Sequence, residues 1–182
     1  MMRAYLFIPL MLLLASCGFQ PVYGTVGRDA GGPSVEQQFA DIRVAPIADR
    51  EGQMLRNELI DQIYVDGIPQ SANYELVVTL GFRQVAIDID RDDSVTRSQL
   101  IGTAVANLMN RSTGERLWST VSQAVTTFNV LDSPFATVVS ERTAREQAID
   151  QISDDLVVRL GAFLRINDLA TRETADISDQ AE

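Results

Sequence analysis

The sequence contains neither lysine nor histidine, and each absence removes whole classes of chemistry. All 15 basic residues of the 182-residue chain are arginines. Without lysine there is no Schiff-base chemistry and no P-loop lysine. Without histidine there is no Ser-His-Asp or Cys-His arrangement, no imidazole metal ligand and no histidine pH switch. Carboxylates, serines, tyrosines and arginines remain, so the sequence predicts a protein that is not an enzyme and has no metal or cofactor.

Cysteine and positive charge are also scarce. Cys17 is the single cysteine, so no intramolecular disulfide can form, even in an oxidising compartment. The chain has 25 acidic residues and a net charge of −10, which argues against nucleic acid as a partner, because phosphate backbones bind to basic patches. A hydrophobic fraction of 46% is enough for one globular domain with a sizeable core.

The N-terminus has the pattern of a signal peptide. Arg3 precedes a short apolar run from Tyr5 to Leu14. A helix of about ten residues would cross only half of a hydrocarbon core about 30 Å thick, so this run is too short for a membrane span. The pattern predicts a signal peptide over residues 1–16.

The tetrad Leu14-Ala15-Ser16-Cys17 resembles the lipobox of bacterial lipoproteins. The resemblance implies that the Cys17 thiol carries a diacylglyceryl group, that the chain is cut after Ser16, and that the new amino terminus is acylated. Two or more acyl chains hold a protein firmly on a membrane. Gly18 after the cysteine resembles the sorting signal for the outer membrane. The alternative is a lone structural cysteine just after a cleaved peptide.

The mature chain divides by composition into three segments. Residues 17–37 form a lipidated leader and a linker that is rich in glycine and proline between 27 and 33. Residues 38–165 form the folded α/β domain. Residues 166–182 are polar and acidic without a period, so we expect a disordered tail.

The domain begins with a strand, a helix and a second strand. FADIRVA, residues 39–45, alternates as a short strand that Pro46 ends. Apolar residues at helical spacing then predict a helix from Gln53 to Tyr64, with Asp49 as its N-cap. Residues 74–82 alternate strictly, and the apolar parity changes between Gly81 and Gln84, which predicts a β-bulge there.

Two more strands and a long helix complete the domain. We expect strands at 95–109 and 117–128, joined by a turn centred near Thr113, and a helix from Pro134 to Leu164. The order β-α-β-β-β-α predicts an α+β two-layer sandwich, in which two helices cover one face of a four-stranded mixed sheet.

Strand parity distinguishes the two faces of this sheet. Small residues on one face would let the helices approach closely, with aromatic residues at the ends. This face consists of Gly102, Ala104, Ala106 and Leu108 with Trp118, Ala124 and Phe128. The other face is too apolar for free solvation and indicates a partner site. Its apolar residues are Ile101, Val105, Met109, Leu117, Val121 and Val125. The alternatives are that the two faces are reversed, or that the linker folds over the apolar face.

The mature chain resembles the LPS-assembly lipoprotein family, LptE, in its alphaproteobacterial form. The likeness lies in CGFQPVYG at 17–24, in SERTAREQA at 140–148, in DDLVVRL at 154–160, and in the order of the strands and helices. The resemblance implies a lipid-anchored subunit on the periplasmic side of the outer membrane, seated as a plug inside the LptD β-barrel. Such a subunit helps the barrel to assemble and helps lipopolysaccharide (LPS) to reach the outer leaflet, without an active site.

Arginines on the strands and at the hairpin ends are the candidate contacts for LPS or the partner: Arg83, Arg97, Arg111 and Arg116, with Arg91 in the same region. A guanidinium fork suits phosphate. The alternative is that these arginines serve solubility and pair with aspartates on neighbouring strands. No family motif assigns a role to any of them, and a lysine contact of the family cannot be reproduced in this chain.

Two groups of aspartates invite other interpretations. Asp88-x-Asp90-x-Asp92 lacks the glycine and glutamate of an EF-hand loop, so we expect a solvated hairpin end in which Asp88 pairs with Arg97. Asp150, Asp154 and Asp155 are expected on a solvated helix face rather than in an acid/base pair.

The sequence is also compatible with two function classes other than a translocon subunit. One is an auxiliary lipoprotein of a periplasmic ABC-type lipid transport system, which would bind lipid or a transporter. The other, an anchored hydrolase, lacks a nucleophile and base.

Overall fold

A computed structural model describes residues 35–64, 67–89 and 95–179. All of them lie in one compact unit that begins at Val35. Its elements in chain order are α1 (Val35–Phe39), β1 (Ile42–Val44), α2 (Asp49–Ile63), β2 (Tyr74–Ile89), β3 (Val95–Asn110), β4 (Arg116–Asn129) and α3 (Pro134–Asp179).

The four strands form one mixed sheet in the order β1-β2-β3-β4. β1 pairs in parallel with the start of β2, where Ile42 faces Tyr74. β2, β3 and β4 form a long antiparallel meander, in which Leu108 pairs with Trp118 across a turn centred near Thr113. The α+β class, the mixed sheet and the position of this turn are confirmed.

The helices cover the face that carries the small residues. Ala104 and Ala106 are fully buried, and a Cβ on Gly102 would lie only 2.8 Å from Cε1 of Phe82. At one end of the helix layer the rings of Trp118 and Phe163 are 5.8 Å apart. The core lies between this face and the stripe of α3 that contains Ile149, Ile152, Leu156 and Leu160, and each such side chain contributes about 1.5–3 kcal/mol by burial. The predicted assignment of faces is correct.

The β-bulge expected at Gly81–Gln84 is not there. β2 and β3 pair without a shift from Tyr74 to Ala86, and the irregularity falls between Ala86 and Ile89. The change of parity in the sequence has a different cause. Past Phe82 the apolar side chains move to the face without helices, while the helix-side Gln84 donates a hydrogen bond to Ser98 Oγ at 3.1 Å.

Asp49 is not the N-cap of α2. The helix starts at Asp49 itself, the N-cap is Ala48, and no side chain there caps the backbone. Asp49 has φ of 66°, a left-handed conformation that aspartate tolerates better than most residues. The turn before α2 is stabilised instead by Gln53 Nε2, which donates a hydrogen bond to the carbonyl of Ile47.

Both ends of the domain extend beyond the expected boundaries. α1 contains residues 35–37 of the predicted linker and Phe39 of the predicted strand, and it packs on α3, where Phe39 lies beside Gly161. α3 continues to Asp179, although the sequence predicted a disordered tail from residue 166. The chain has neither glycine nor proline after Gly161, so nothing in the sequence stops the helix.

The outer edge of β1 is closed by a side chain. Tyr64, just after α2, donates its hydroxyl to the carbonyl of Ile42 at 2.8 Å and accepts from the backbone N–H of Val44 at 3.0 Å. Burial raises the pKa of Tyr64 above 10.0, although the hydrogen bond from Val44 opposes the shift. The hydroxyl replaces the strand that would otherwise pair with β1.

Candidate functional site

The face of the sheet away from the helices is apolar and uncovered by any described residue of the chain. We call it the open face; it consists of alternate positions 77–87 of β2, 97–109 of β3 and 117–129 of β4. Its large apolar residues are Val77, Val85, Ile87, Ile101, Val105, Met109, Leu117, Val121 and Val125. Val121 is 55% exposed and Val125 and Ile87 are each 48% exposed. A continuous surface of this kind marks a binding site, because single exposed apolar residues are normal but a contiguous patch is not.

The open face differs from the rest of the molecule in charge. The chain carries 25 acidic residues, yet the twenty positions of the open face include no acidic residue, and their only charged residues are Arg83 and Arg97. Two acidic residues border these positions, since Glu75 is the Cα partner of Met109 and Asp88 is the Cα partner of Arg97. Between these two borders, the open face can therefore accept an apolar or weakly anionic surface without opposing like charges.

The structure separates the four candidate arginines into two pairs. Arg83 faces Ile101 across the β2–β3 ladder and Arg97 lies four residues further along β3, so their Cα atoms are about 14 Å apart along the strands. Arg116 pairs with Met109, twelve residues from Arg97. At about 3.4 Å per residue the two ends of the sheet are about 40 Å apart, too far for the four arginines to form one phosphate site.

Arg111 has a structural role at the turn between β3 and β4. Its Nη1 donates a hydrogen bond to the carbonyl of Ala72 at 2.7 Å, and its backbone N–H donates to the carbonyl of Asn73. Asn73 in turn donates to the carboxylate of Asp41. These bonds tie the turn to the loop before β2, so Arg111 is the weakest of the four candidates for a ligand.

The predicted aspartate pairing is correct in register. Asp88 is the Cα partner of Arg97 across the β2–β3 ladder, and Arg97 Nε also lies 3.5 Å from Oδ1 of Asn129 on β4. Asp90, Asp92 and Arg91 lie outside the described residues. Cys17, the predicted lipidation site, lies outside them as well.

The aspartates on α3 have no common site. Asp154 accepts a hydrogen bond from Gln62 of α2 at 3.0 Å. Asp155 points to the sheet instead, where it accepts from Ser122 Oγ at 2.6 Å and from Arg159 Nε at 2.8 Å. Burial of Asp155 raises its pKa, but the bonds from Arg159 and Ser122 outweigh burial and hold the pKa below 3.8.

A cleft of about 460 Å³ lies between the start of α2, β2 and Arg145 of α3. The Arg145 guanidinium already pairs with Glu141 at 2.5 Å and with Glu51 at 3.9 Å, and it lies 5.2 Å from the centre of the Phe82 ring. This cation joins α2, α3 and β2, so Arg145 is not a free charge for a ligand in the cleft.

Within the described residues, no three histidine, cysteine, aspartate or glutamate side chains are grouped so that they could hold a metal ion. No described helix combines the length and the apolarity that crossing a membrane requires.

Sequence reasoning missed the part of the open face that β2 contributes. Val85 and Ile87 were not assigned to it, because the predicted bulge placed the end of β2 in a different register, and Val77, which precedes the bulge, was assigned to neither face. If the alternation that begins at Tyr74 is continued along the whole strand, Val77, Val85 and Ile87 fall on the same face as Ile101 and Val105.

Solved structures share this fold. A candidate lipoprotein from Caulobacter crescentus aligns with a TM-score of 0.59 at 21% identity, over 73% of this chain and 96% of that chain. The rare lipoprotein B from Shewanella oneidensis aligns at 0.53 and 11% identity, over 69% and 96%. A minor lipoprotein from Acinetobacter baumannii aligns at 0.54 and 13% identity, over 68% and 92%. At these identities the likeness concerns the fold.

The sequence itself identifies the family. No curated protein matches the chain, but the family model LptE, described as lipopolysaccharide-assembly, matches residues 39–160, from the end of α1 to the buried stripe of α3. This span includes all four strands and therefore the whole open face. The chain belongs to the LptE family of lipopolysaccharide-assembly lipoproteins.

Proposed function

We propose that this protein is the lipid-anchored subunit of an outer-membrane LPS translocon, that it seats in an LptD-like β-barrel, and that it helps the barrel assemble and LPS pass to the outer leaflet. The open face is the observation that carries the proposal. A rigid three-stranded meander presents apolar side chains on this face without an acidic residue, as a subunit enclosed by a larger protein requires. The role involves no chemical step.

Rigidity and charge both favour this face as the docking surface. Strands hold side chains at fixed spacings, so a preformed face loses little conformational entropy on binding. Helices cover the other face of the sheet. The twenty positions of the open face include no acidic residue, so repulsion from an acidic partner would arise only at its borders, at the positions of Glu75 and Asp88.

A charge placed in the middle of the open face tests the proposal. Val105 lies in the central strand and is 39% exposed, so Val105→Asp is compatible with folding but would bury an unpaired carboxylate in the complex. We expect recovery of the barrel with the tagged protein, from detergent-solubilised outer membranes, to fall more than about tenfold, since 1.4 kcal/mol already gives a factor of ten.

Ile166→Asp is the matched control, because Ile166 is 65% exposed on α3, in the helix layer. It should leave recovery unchanged. Equal recovery with Val105→Asp and the unsubstituted protein would contradict the docking surface. Co-purification of inner-membrane ATPase components in place of a stoichiometric barrel would refute the translocon role itself.

The outer-membrane location rests on acylation of Cys17. Three acyl chains would hold the domain at the membrane. Intact-mass measurement of the membrane-extracted protein should show a chain that begins at residue 17 with the added mass of the lipid. An unmodified residue 17 in a protein that is free in the periplasm would contradict this part of the proposal.

A further inference from the structure

The open face is banded along β3 and β4. Rows of side chains that run across the two strands are alternately polar and apolar, and neighbouring rows lie about 6.8 Å apart, which is two residues along a strand. The polar rows pair Gln99 with Thr127, Thr103 with Gln123 and Asn107 with Ser119. The apolar rows between them pair Ile101 with Val125 and Val105 with Val121. A banded surface has a defined position along the strands, which a uniformly apolar surface lacks.

The polar rows consist of amides and hydroxyls, without any charge. The helices of the other layer, α2 and α3, are by contrast rich in carboxylates and arginines. Burying an ion is far more costly than burying an amide or a hydroxyl that receives a hydrogen bond. A partner that supplies hydrogen-bonding groups can therefore cover these rows.

Most groups in the polar rows lack a partner among the described residues. Gln123 Nε2 donates to Thr103 Oγ1 at 3.3 Å. The side chains of Gln99, Asn107 and Ser119 make no hydrogen bond to a described residue. Because a buried polar group without a hydrogen bond is costly, a lipid or a uniformly apolar helix does not fit this surface.

We infer that the polar rows determine the position at which the open face docks, while the apolar rows provide most of the contact. The inference rests on the proposed function, in which the occupant is the wall of a β-barrel. A wall whose strands run within about 30° of β3 and β4 presents its own side chains at the same spacing of about 6.8 Å. The lumen side of such a wall is polar. The groups that contact the rows are uncharged, because a charge there would have no counter-ion.

Sliding the subunit along the wall shows why the rows specify one position. A shift by one row, about 6.8 Å, would set every polar row against an apolar one. A shift by two rows restores the match but leaves one polar row without its partner. One position satisfies all the polar rows, so Gln99, Thr103 and Asn107 are positioning residues that act by penalising the other positions.

Asn107→Leu tests the inference, because Asn107 lies in the central strand between Val77 and Ser119. Leucine cannot form the hydrogen bond and leaves the polar group of the wall unsatisfied. We expect recovery of the barrel with the tagged full-length protein, from detergent-solubilised outer membranes, to fall at least about fivefold. Unchanged or higher recovery would show that apolar contact alone determines docking and would overturn the inference.

Asn57→Leu is the matched control, since Asn57 is exposed on α2 and lies outside the open face. Its recovery of the barrel should equal that of the unsubstituted protein. Urea unfolding of both variants checks that each retains the fold. An equal fall in recovery for the two variants would also overturn the inference.

A photoreactive side chain reports the docked position directly. A diazirine amino acid at Val121 should cross-link to one strand of the wall. The same probe at Val125 should reach a residue about four positions away on the same side of the wall, on that strand or an adjacent one. In Asn107→Leu the remaining cross-links from Val121 should spread to residues about two positions away, which is one row. Cross-links that keep a single position in Asn107→Leu, or that fall on a helix or on lipid, would overturn the inference.

The proposed function fails on different results. Recovery of no barrel by the unsubstituted protein, or equal recovery with Val105→Asp, would contradict docking itself. A barrel that is lost with Val105→Asp but kept with Asn107→Leu would contradict only the role of the polar rows.

Discussion

At the scale of single residues, two glycines of the sheet have opposite surroundings. Gly102 lies under the helices, where a Cβ would be 2.8 Å from Phe82 and 3.1 Å from Ile152. Gly81 lies on the open face, where a Cβ would meet nothing within 4 Å. The same residue type is therefore required at one position and dispensable at the other.

We expect Gly102→Ala to lower the free energy of unfolding by about 1–3 kcal/mol, because the added methyl group overpacks the core. Gly81→Ala is the matched control and should leave stability unchanged or raise it by up to about 1 kcal/mol, since alanine reduces the entropy of the unfolded chain. Urea unfolding followed by circular dichroism measures both. Equal losses in the two variants would show that the helices do not press on Gly102.

Tyr64 is the second residue with a specific role, as its hydroxyl satisfies two backbone groups of β1. Tyr64→Phe would leave the Val44 N–H and the Ile42 carbonyl without a partner inside the core, which costs about 1–3 kcal/mol. Tyr74→Phe is the control, because Tyr74 packs against the same core and its hydroxyl makes no hydrogen bond to a described residue. Equal urea midpoints for the two variants would contradict the role of the hydroxyl.

At the scale of elements, we expect the contact between α3 and β4 to depend on pH. Asp155 accepts hydrogen bonds from Ser122 and Arg159, and its pKa lies below 3.8. A carboxyl with a lowered pKa stabilises the fold above its unfolded pKa, and the contribution is lost as the pH falls through the folded value. The side chain is 37% exposed, so solvent screens the ion pair and we expect no more than about 1 kcal/mol.

Asp155→Asn should therefore be less stable than the unsubstituted protein at pH 6, and the difference should shrink below pH 3.8. Thermal unfolding between pH 3 and pH 7 measures this. Asp150→Asn, an exposed neighbour on the same helix, is the control for the substitution itself. A difference for Asp155→Asn that is constant across the range would show that the loss comes from packing rather than from charge.

At the scale of the whole molecule, the long sheet separates the four arginines that the sequence indicated as one group of candidate contacts. Arg83 and Arg97 share the open face at one end, whereas Arg111 is tied to Ala72 at the other end. A phosphate-bearing ligand on the open face would meet the first pair.

We expect Arg83→Gln/Arg97→Gln to weaken the binding of purified LPS to the detergent-solubilised protein at least about fivefold, since each charge-assisted bond contributes about 1.5–3 kcal/mol before screening. Added salt should reduce the difference. Arg116→Gln, at the far end of the sheet, is the control and should bind as the unsubstituted protein does. A larger loss in Arg116→Gln would move the anionic site to the other end.

The sequence was informative wherever a period or a motif covered a whole element. Alternation in β3 and β4 gave the correct faces, and the position of Thr113 gave the correct turn, because side chains in strands have a period of two and register follows from the turn. The sequence failed where a tertiary contact decides the local structure. The turn into α2 depends on Gln53 reaching Ile47, and α1 packs on Gly161, which is far away in the chain.

By itself the sequence determined the α+β class of the fold, through the periodicity of the strands and helices. The missing lysine and histidine and the pattern before Cys17 predict an anchored, non-catalytic protein. The tertiary structure decided which surfaces remain for partners, because exposure depends on what the helices cover and on which strand ends the sheet. It joined the end of β2 to the open face, divided the arginines between two ends, and closed the edge of β1 with Tyr64. Among the described residues it leaves the outer edge of β4 without a strand partner.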